Sequence, residues 1–292
     1  MSVPGLSFKK FVLGAVKGTC LVVFLALNVG CKGTHSESAV TLTHGVDTSA
    51  GGLPAYIITT ENATYYLEKS GGGLSSLLDQ DGIDWIGFNH IKGSGWKGEY
   101  RGFPNAVHKQ DGNFFHAMNA GTDPATSEIT IHAPNHVRIV FTSENGKWEG
   151  QWDFYPTRCD FTMTTVSPGY QYWIQYEGVP GGEMNKTDFW FNSASPDKHP
   201  IEDAFSGDLP APEWFAFGDK NFPRMLYFLK HEDDDLPDDY VSRPFMTVLG
   251  FGRQNKDKFL SSPVRVSFGF VESVDYKAVQ QAATRPMATS AN

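Results

Sequence analysis

The chain has 292 residues, with 33 acids against 24 lysines and arginines and a formal net charge of −9. That acidity argues against a nucleic-acid surface, which needs a basic patch. Aromatic residues make up 14% and glycine and proline number 30 and 17, a combination that points to a turn-rich β protein.

The N-terminus carries Lys9, Lys10 and Lys17, then the apolar run GTCLVVFLALNVG at residues 18–30, too short for a comfortable membrane span. Val29-Gly30-Cys31 resembles the lipobox of bacterial lipoproteins. The resemblance implies that residues 1–30 are a signal peptide and that Cys31 is lipidated. Asn28 departs from that pattern, which prefers leucine, so ordinary signal cleavage or an uncleaved anchor is the alternative. Removing three lysines and no acid leaves the mature chain at −12. The expected location is the bacterial cell envelope, lipid-anchored on the periplasmic or outer-membrane side, with the membrane touched only through the lipid. Residues 31–51 read as a polar, disordered tether. Cys20 leaves with the signal and Cys31 takes the lipid, so Cys159 is single. It alternates with Phe161 and Met163, as a buried small apolar residue would.

Period-2 segments recur from about residue 54 to 272. AYIITT and TYYLEK come first, then GLSSLLD, a turn at Gln80-Asp81-Gly82, and IDWIGF. Val137, Ile139 and Phe141 alternate with polar residues ahead of a hairpin signal at Glu144-Asn145-Gly146. Trp148, Gly150, Trp152 and Phe154 share the next face. YQYWIQYEG, MLYFLKH, FMTVLGFG and VRVSFGF continue the pattern, and DYKAVQQAA at 275–283 reads as a short helix. Loops are expected at about 89–126 and 181–213. A dozen or so strands without intervening helices predict an all-β fold of one domain over residues 52–283, a large two-sheet antiparallel β-sandwich, with a frayed tail at 284–292.

GGGLSSLLDQDGIDWIGF, with WEGQWDFYP and YQYWIQYEGVPGG later in the chain, resembles galactose mutarotase-like domains. The resemblance is spread over roughly residues 54–272. It implies a β-supersandwich used by sugar epimerases, some polysaccharide lyases and accessory domains of glycoside-active enzymes. It also implies that an arginine and histidines from early strands line a concave face, where Arg101 and His108 stand at a comparable point. The base in such enzymes comes from a late strand, for which Glu272 is the candidate.

Several residues are candidates on their own chemistry. In GEYRGFPNAVH, Arg101 offers a donor fork for a carboxylate or paired hydroxyls, Asn105 a donor and an acceptor, and His108 an acid or base near neutral pH. His116 is a second acid–base candidate. The alternative is that Arg101 pairs with an acid and His108 caps a loop. Glu177, at a strand end beside Trp173 and Tyr176, suits a general base, or else simply precedes the Pro180-Gly181-Gly182 turn. Tyr176 and His231 are candidate substrate contacts. Trp96, Trp190 and Trp214, in or near loops, offer rings for stacking on sugars, or plug the core. HEDDDLPDDY packs six acids into ten residues, which allows Ca²⁺ on Asp233, Asp235 and Asp239 or a solvated acidic loop. No other cofactor is expected.

The reading is a carbohydrate-acting lipoprotein doing acid–base chemistry at a sugar ring carbon, by epimerisation or β-elimination. The alternative is a non-catalytic glycan-binding or structural envelope protein. Convergence of an arginine, a histidine and a carboxylate favours the enzyme; a flat aromatic strip favours binding.

Overall fold

The computed structural model describes residues 40–88, 100–110, 112–117 and 124–284. Cys31 and Trp96 lie outside the described residues. Four strands, β1 (Thr41–Asp47), β2 (Leu53–Thr59), β3 (Ala63–Glu68) and β4 (Leu74–Asp79), form a sheet in sequential order. β1 falls within the stretch expected to be a disordered tether. Its threonines and Val46 favour extended backbone, and it pairs with β2 in continuous antiparallel register from Thr41↔Thr59 to Asp47↔Leu53.

Next come β5 (Thr126–Ala133), β6 (His136–Thr142), β7 (Glu149–Tyr155), β8 (Arg158–Thr165), β9 (Ile174–Gly178), β10 (Asp188–Asn192), β11 (Ser195–Pro200) and β12 (Phe205–Gly207). They are followed by β13 (Glu213–Asp219), β14 (Met225–Lys230), β15 (Asp238–Arg243), β16 (Met246–Phe251), the short β17 (Arg253–Gln254) and β18 (Asp257–Lys258), β19 (Arg265–Val271) and helix α1 (Tyr276–Thr284). A nine-stranded sheet runs β11-β10-β13-β14-β19-β8-β7-β6-β5, and a four-stranded sheet runs β12-β15-β16-β9. Every strand pairing is antiparallel. The segment expected as a loop at 181–213 therefore contains β10, β11 and β12.

Both four-stranded sheets pack on the same side of the nine-stranded one. Tyr65 of β3 meets Phe154 and Phe268, at 5.1 and 6.0 Å between ring centroids. Tyr176 of β9 meets Phe217 and Phe228, and Tyr240 of β15 meets Phe215. The segment 102–106 joins the two smaller sheets. On one side Leu74 N–H donates to Phe103 O at 2.7 Å. On the other, Gly102 and Glu177 exchange both backbone hydrogen bonds at 3.0 and 2.9 Å. The result is a two-layer antiparallel sandwich.

β13 is buried along its whole length, because both of its faces are covered. Glu213, Phe215 and Phe217 face the second layer. Trp214 and Ala216 face a separate apolar cluster with Val279 and Ala283 of α1. Such two-sided burial produces a continuous apolar run rather than alternation.

Candidate functional site

The site grows from the stitched edge of β9. Alternation along that strand sends Ile174 and Tyr176 into the core and leaves Trp173, Gln175 and Glu177 on the outer face. That face is polar yet closed, with Gln175 and Glu177 only 3% and 4% exposed. The Glu177 carboxylate accepts from Asn105 Nδ2 at 3.1 Å and from Gln175 Nε2 at 2.9 Å. Asn105 reaches it from a left-handed backbone, φ 41°, which an asparagine tolerates better than most residues. Trp173 Nε1 donates to Asn105 O at 2.6 Å and fixes the same turn from beneath.

Gly102 stands directly opposite Glu177. A Cβ there would lie 3.5 Å from His116 Nε2, so the His116 imidazole rests against the glycine beside Glu177. Burial, and secondarily the neighbouring His108, depress the His116 pKa to about 4. Its ring is neutral at physiological pH. His108 is lowered by its own partial burial and by Lys109 and Lys258. Lys258 Nζ donates to His108 O at 2.7 Å and sits 4.3 Å over the Trp173 ring.

The second strand of the site is β16. Gly250 pairs with Gln175, and a Cβ on Gly250 would come within 2.3 Å of Arg253 Cδ. Glycine therefore lets the Arg253 side chain cross the sheet face next to Gln175. Arg253 Nη1 donates to Asp239 Oδ1, and its guanidinium lies 5.4 Å from the Trp173 ring. Two buried atoms here have no hydrogen-bond partner among the described residues, the donor Arg253 Nε and the acceptor Gln175 Oε1. Burial lowers the pKa of Arg253 and raises that of Asp239.

Asn105, His108, His116 and Glu177 thus come together. Arg101 lies at their border, and its role differs from a free fork. Its Nε donates to Gly87 O and its Nη1 to Phe245 O at 2.9 Å, so it ties two turns through carbonyls. Phe245 itself is 55% exposed at the rim.

The other candidates fall elsewhere. Tyr176 points into the core and donates to Trp85 O at 2.5 Å. Glu272 bonds to Arg224, which also holds Asp79 and Asp81. Strand alternation carried Glu272 out of a buried stripe, as read from the sequence, but toward this ion cluster. His231 meets Ser267 Oγ at 2.7 Å, and Ser267 donates to Asp160, a structural chain across the nine-stranded sheet. Trp190 and Trp214 belong to strands and are 2% and 1% exposed, so neither presents a ring for stacking. Trp190 is covered by His199 at 4.0 Å between ring centroids. Asp233 and Asp235 are exposed and Asp239 is committed to Arg253, so these three do not gather. Cys159 is buried and free, with a thiol pKa pushed up by burial. Trp173, Gln175 and Arg253 were not singled out as site residues. Period 2 along YQYWIQYEG would have placed Trp173 and Gln175 on the Glu177 face.

No family model matches the chain, and no curated protein matches it. Among solved structures, HI1317 shares the fold at a TM-score of 0.53 and 14% identity, covering 79% of this chain and 99% of that one. Weaker likenesses reach a putative mutarotase, YeaD, from Salmonella typhimurium (TM-score 0.49, 10% identity, 80% and 94% covered). They also reach a galactose mutarotase related enzyme from Lactobacillus acidophilus (TM-score 0.44, 9% identity, 76% and 99% covered). The antiparallel β-sandwich expected from the sequence is the fold found, and HI1317 shares it.

Proposed function

We propose that the chain binds carbohydrate on the outer face of β9 and β16 and carries out acid–base chemistry at a sugar ring carbon there. The observation that carries this reading is the pair of buried, unpartnered atoms beside Glu177, the donor Arg253 Nε and the acceptor Gln175 Oε1. A sugar hydroxyl donates and accepts at once, the two capacities that these atoms call for. Glu177 is aligned by two amide donors and serves as the base. His116, neutral beside it, bonds the Tyr100 backbone with one ring nitrogen and offers the other to the ring oxygen or a hydroxyl.

A non-catalytic glycan-binding role is the second reading, favoured by the exposed Phe245 ring at the rim. One experiment separates the two. Purified chain is mixed with neutral and acidic sugars and polysaccharides, and anomer exchange, epimerisation and double-bond formation are followed by NMR and ultraviolet absorbance. Turnover that falls by about 10²-fold or more in Glu177→Gln, with melting temperature kept, fits a general base. Binding without any turnover in the wild type assigns the site to recognition alone. Neither binding nor turnover across the panel removes the carbohydrate reading.

The proposal includes attachment to the cell envelope through a lipid on Cys31. A fatty-acid probe fed to expressing bacteria is expected to label the wild type and not Cys31→Ser. Equal labelling of both rejects it.

A further inference from the structure

A second concavity lies where the two layers part at one edge. β11 ends the nine-stranded sheet and β12 ends the four-stranded one. β11 spans six residues and β12 only three, so the shorter strand leaves part of the facing layer uncovered. A cavity of about 370 Å³ opens there. Trp190 pairs with His199 and Asn192 with Ser195, so these four side chains share the inner face of β10 and β11. They line the cavity together with Asp203 and with Phe205 at the start of β12.

The floor is a stack of rings. Trp190 lies 4.8 Å from Phe215 and 4.0 Å from the His199 imidazole between ring centroids, and its Nε1 donates to Asp203 O at 3.0 Å. Trp190 is thus a fixed base, and the half-buried His199 and Phe205 rings are the apolar surfaces that a ligand meets. The polar groups among them are mostly donors. Asn192, 1% exposed, spends its Oδ1 on Ala194 N–H at 3.1 Å and Ser195 N–H at 3.3 Å, while its Nδ2 has no partner among the described residues. A buried amide donor left unpaired is costly, so the cavity calls for an acceptor. Ser195 Oγ accepts from Asp197 N–H at 3.1 Å, which leaves its O–H to donate. The one carboxylate is that of Asp203, exposed at the mouth 3.8 Å from His199 Nδ1.

These groups select the ligand. No lysine or arginine lines the cavity and Asp203 repels an anion, which disfavours a carboxylate or a phosphate. A metal ion finds one carboxylate and one imidazole, too few ligands to hold it. A wholly apolar ligand leaves Asn192 unpaired. A neutral ring with several hydroxyls has the acceptors that Asn192 and Ser195 call for, donors for Asp203, and C–H groups for the His199 and Phe205 rings. We infer that the cleft between β11 and β12 is a second, non-catalytic binding site for one neutral sugar residue, an assignment of ligand that rests on the carbohydrate reading of the Glu177 face. Unlike that face, the cleft holds no buried carboxylate to act as a base. β12 and β9 are opposite edges of the four-stranded sheet, so the two sites are separate. The volume is near the lower end of the ~300–1,000 Å³ of small-molecule sites, room for one ring rather than a chain.

The test titrates the isotopically labelled full chain with the methyl glycosides of glucose and galactose and with glucuronate, following the His199 ring and Asn192 amide signals by NMR. Saturable shifts of both are expected with at least one neutral glycoside, and glucuronate is expected to bind at least tenfold more weakly. Asn192→Asp keeps the oxygen that closes the β10–β11 turn and removes only the donor. It is expected to weaken the titration seen at His199 at least tenfold. Ala204→Trp, at an exposed position lining the cleft, is expected to block it, and decides the matter if Asn192→Asp fails to fold. Glu177→Gln is expected to leave the His199 titration as in the wild type. The cleft is overturned if no neutral glycoside moves these signals, if glucuronate binds as tightly, or if both cleft variants bind as the wild type does. Loss of the His199 response in folded Glu177→Gln also overturns it, by tracing the signal to the other face. A His199 response without turnover anywhere keeps the cleft and removes only the catalytic reading.

Discussion

Arg101 shows how a side chain suited to a ligand can be spent on the scaffold. Its two bonds reach carbonyls on different turns, at Gly87 and Phe245. Hydrogen bonds from a charged donor contribute about 1.5–3 kcal/mol each, and the partly exposed setting reduces that. Arg101→Ala is expected to lower the melting temperature by several degrees. Arg101→Lys is expected to recover no more than half of it, because one ammonium cannot span both turns as the planar fork does. An unchanged melting temperature with lost sugar binding would return Arg101 to the role of a ligand fork.

At the scale of elements, β10 and β13 place Asp188 directly across from Asp219. Burial first, then the Asp219 charge, push the Asp188 carboxyl up to about 7 against an ordinary 3.8, even though the Asn185 N–H opposes the shift. A raised folded-state pKa means that the folded chain holds its proton more tightly than the unfolded one. The contribution to stability is full below about pH 4 and is lost as pH rises through 7. Asp188→Asn mimics the protonated form. It is expected to match the wild type in melting temperature near pH 4 and to exceed it at pH 8; a lower value at pH 8 would contradict this account. Nothing in TDFWFN reveals such a pair, because its partner is 31 positions away in the chain.

The same limit explains what the sequence disclosed. The strands with one wet face, such as His136–Thr142, showed in period 2, and the turn at Gly82 and the helix near 276–284 showed in local chemistry. Of the site, Asn105, His108, His116 and Glu177 were legible as residue types suited to sugar chemistry. Arg253 was not, because it depends on the register that puts Gly250 beside Gln175. Trp190 and Trp214 were misread as loop residues because EWFAFGD and DFWFN are covered on both faces and carry no alternation.

For the whole molecule, the segment 102–106 is the seam of the second layer. Its pairings connect positions 74, 103 and 177, far apart in sequence, so the seam closes only when both smaller sheets exist. It also carries Asn105 and places Gly102 under His116. Amide exchange offers a direct reading of this arrangement, since local openings set its rate. The N–H groups of Gly102 and Glu177 are expected to exchange together, and to slow together when a sugar fills the site. Independent exchange of the two would show that the seam is not one cooperative unit. Under the proposed carbohydrate role, the seam works as a built-in proofreading step for the fold: a chain in which either smaller sheet has failed to form has no such face to offer, so partly folded copies would stay silent toward sugar instead of competing for it.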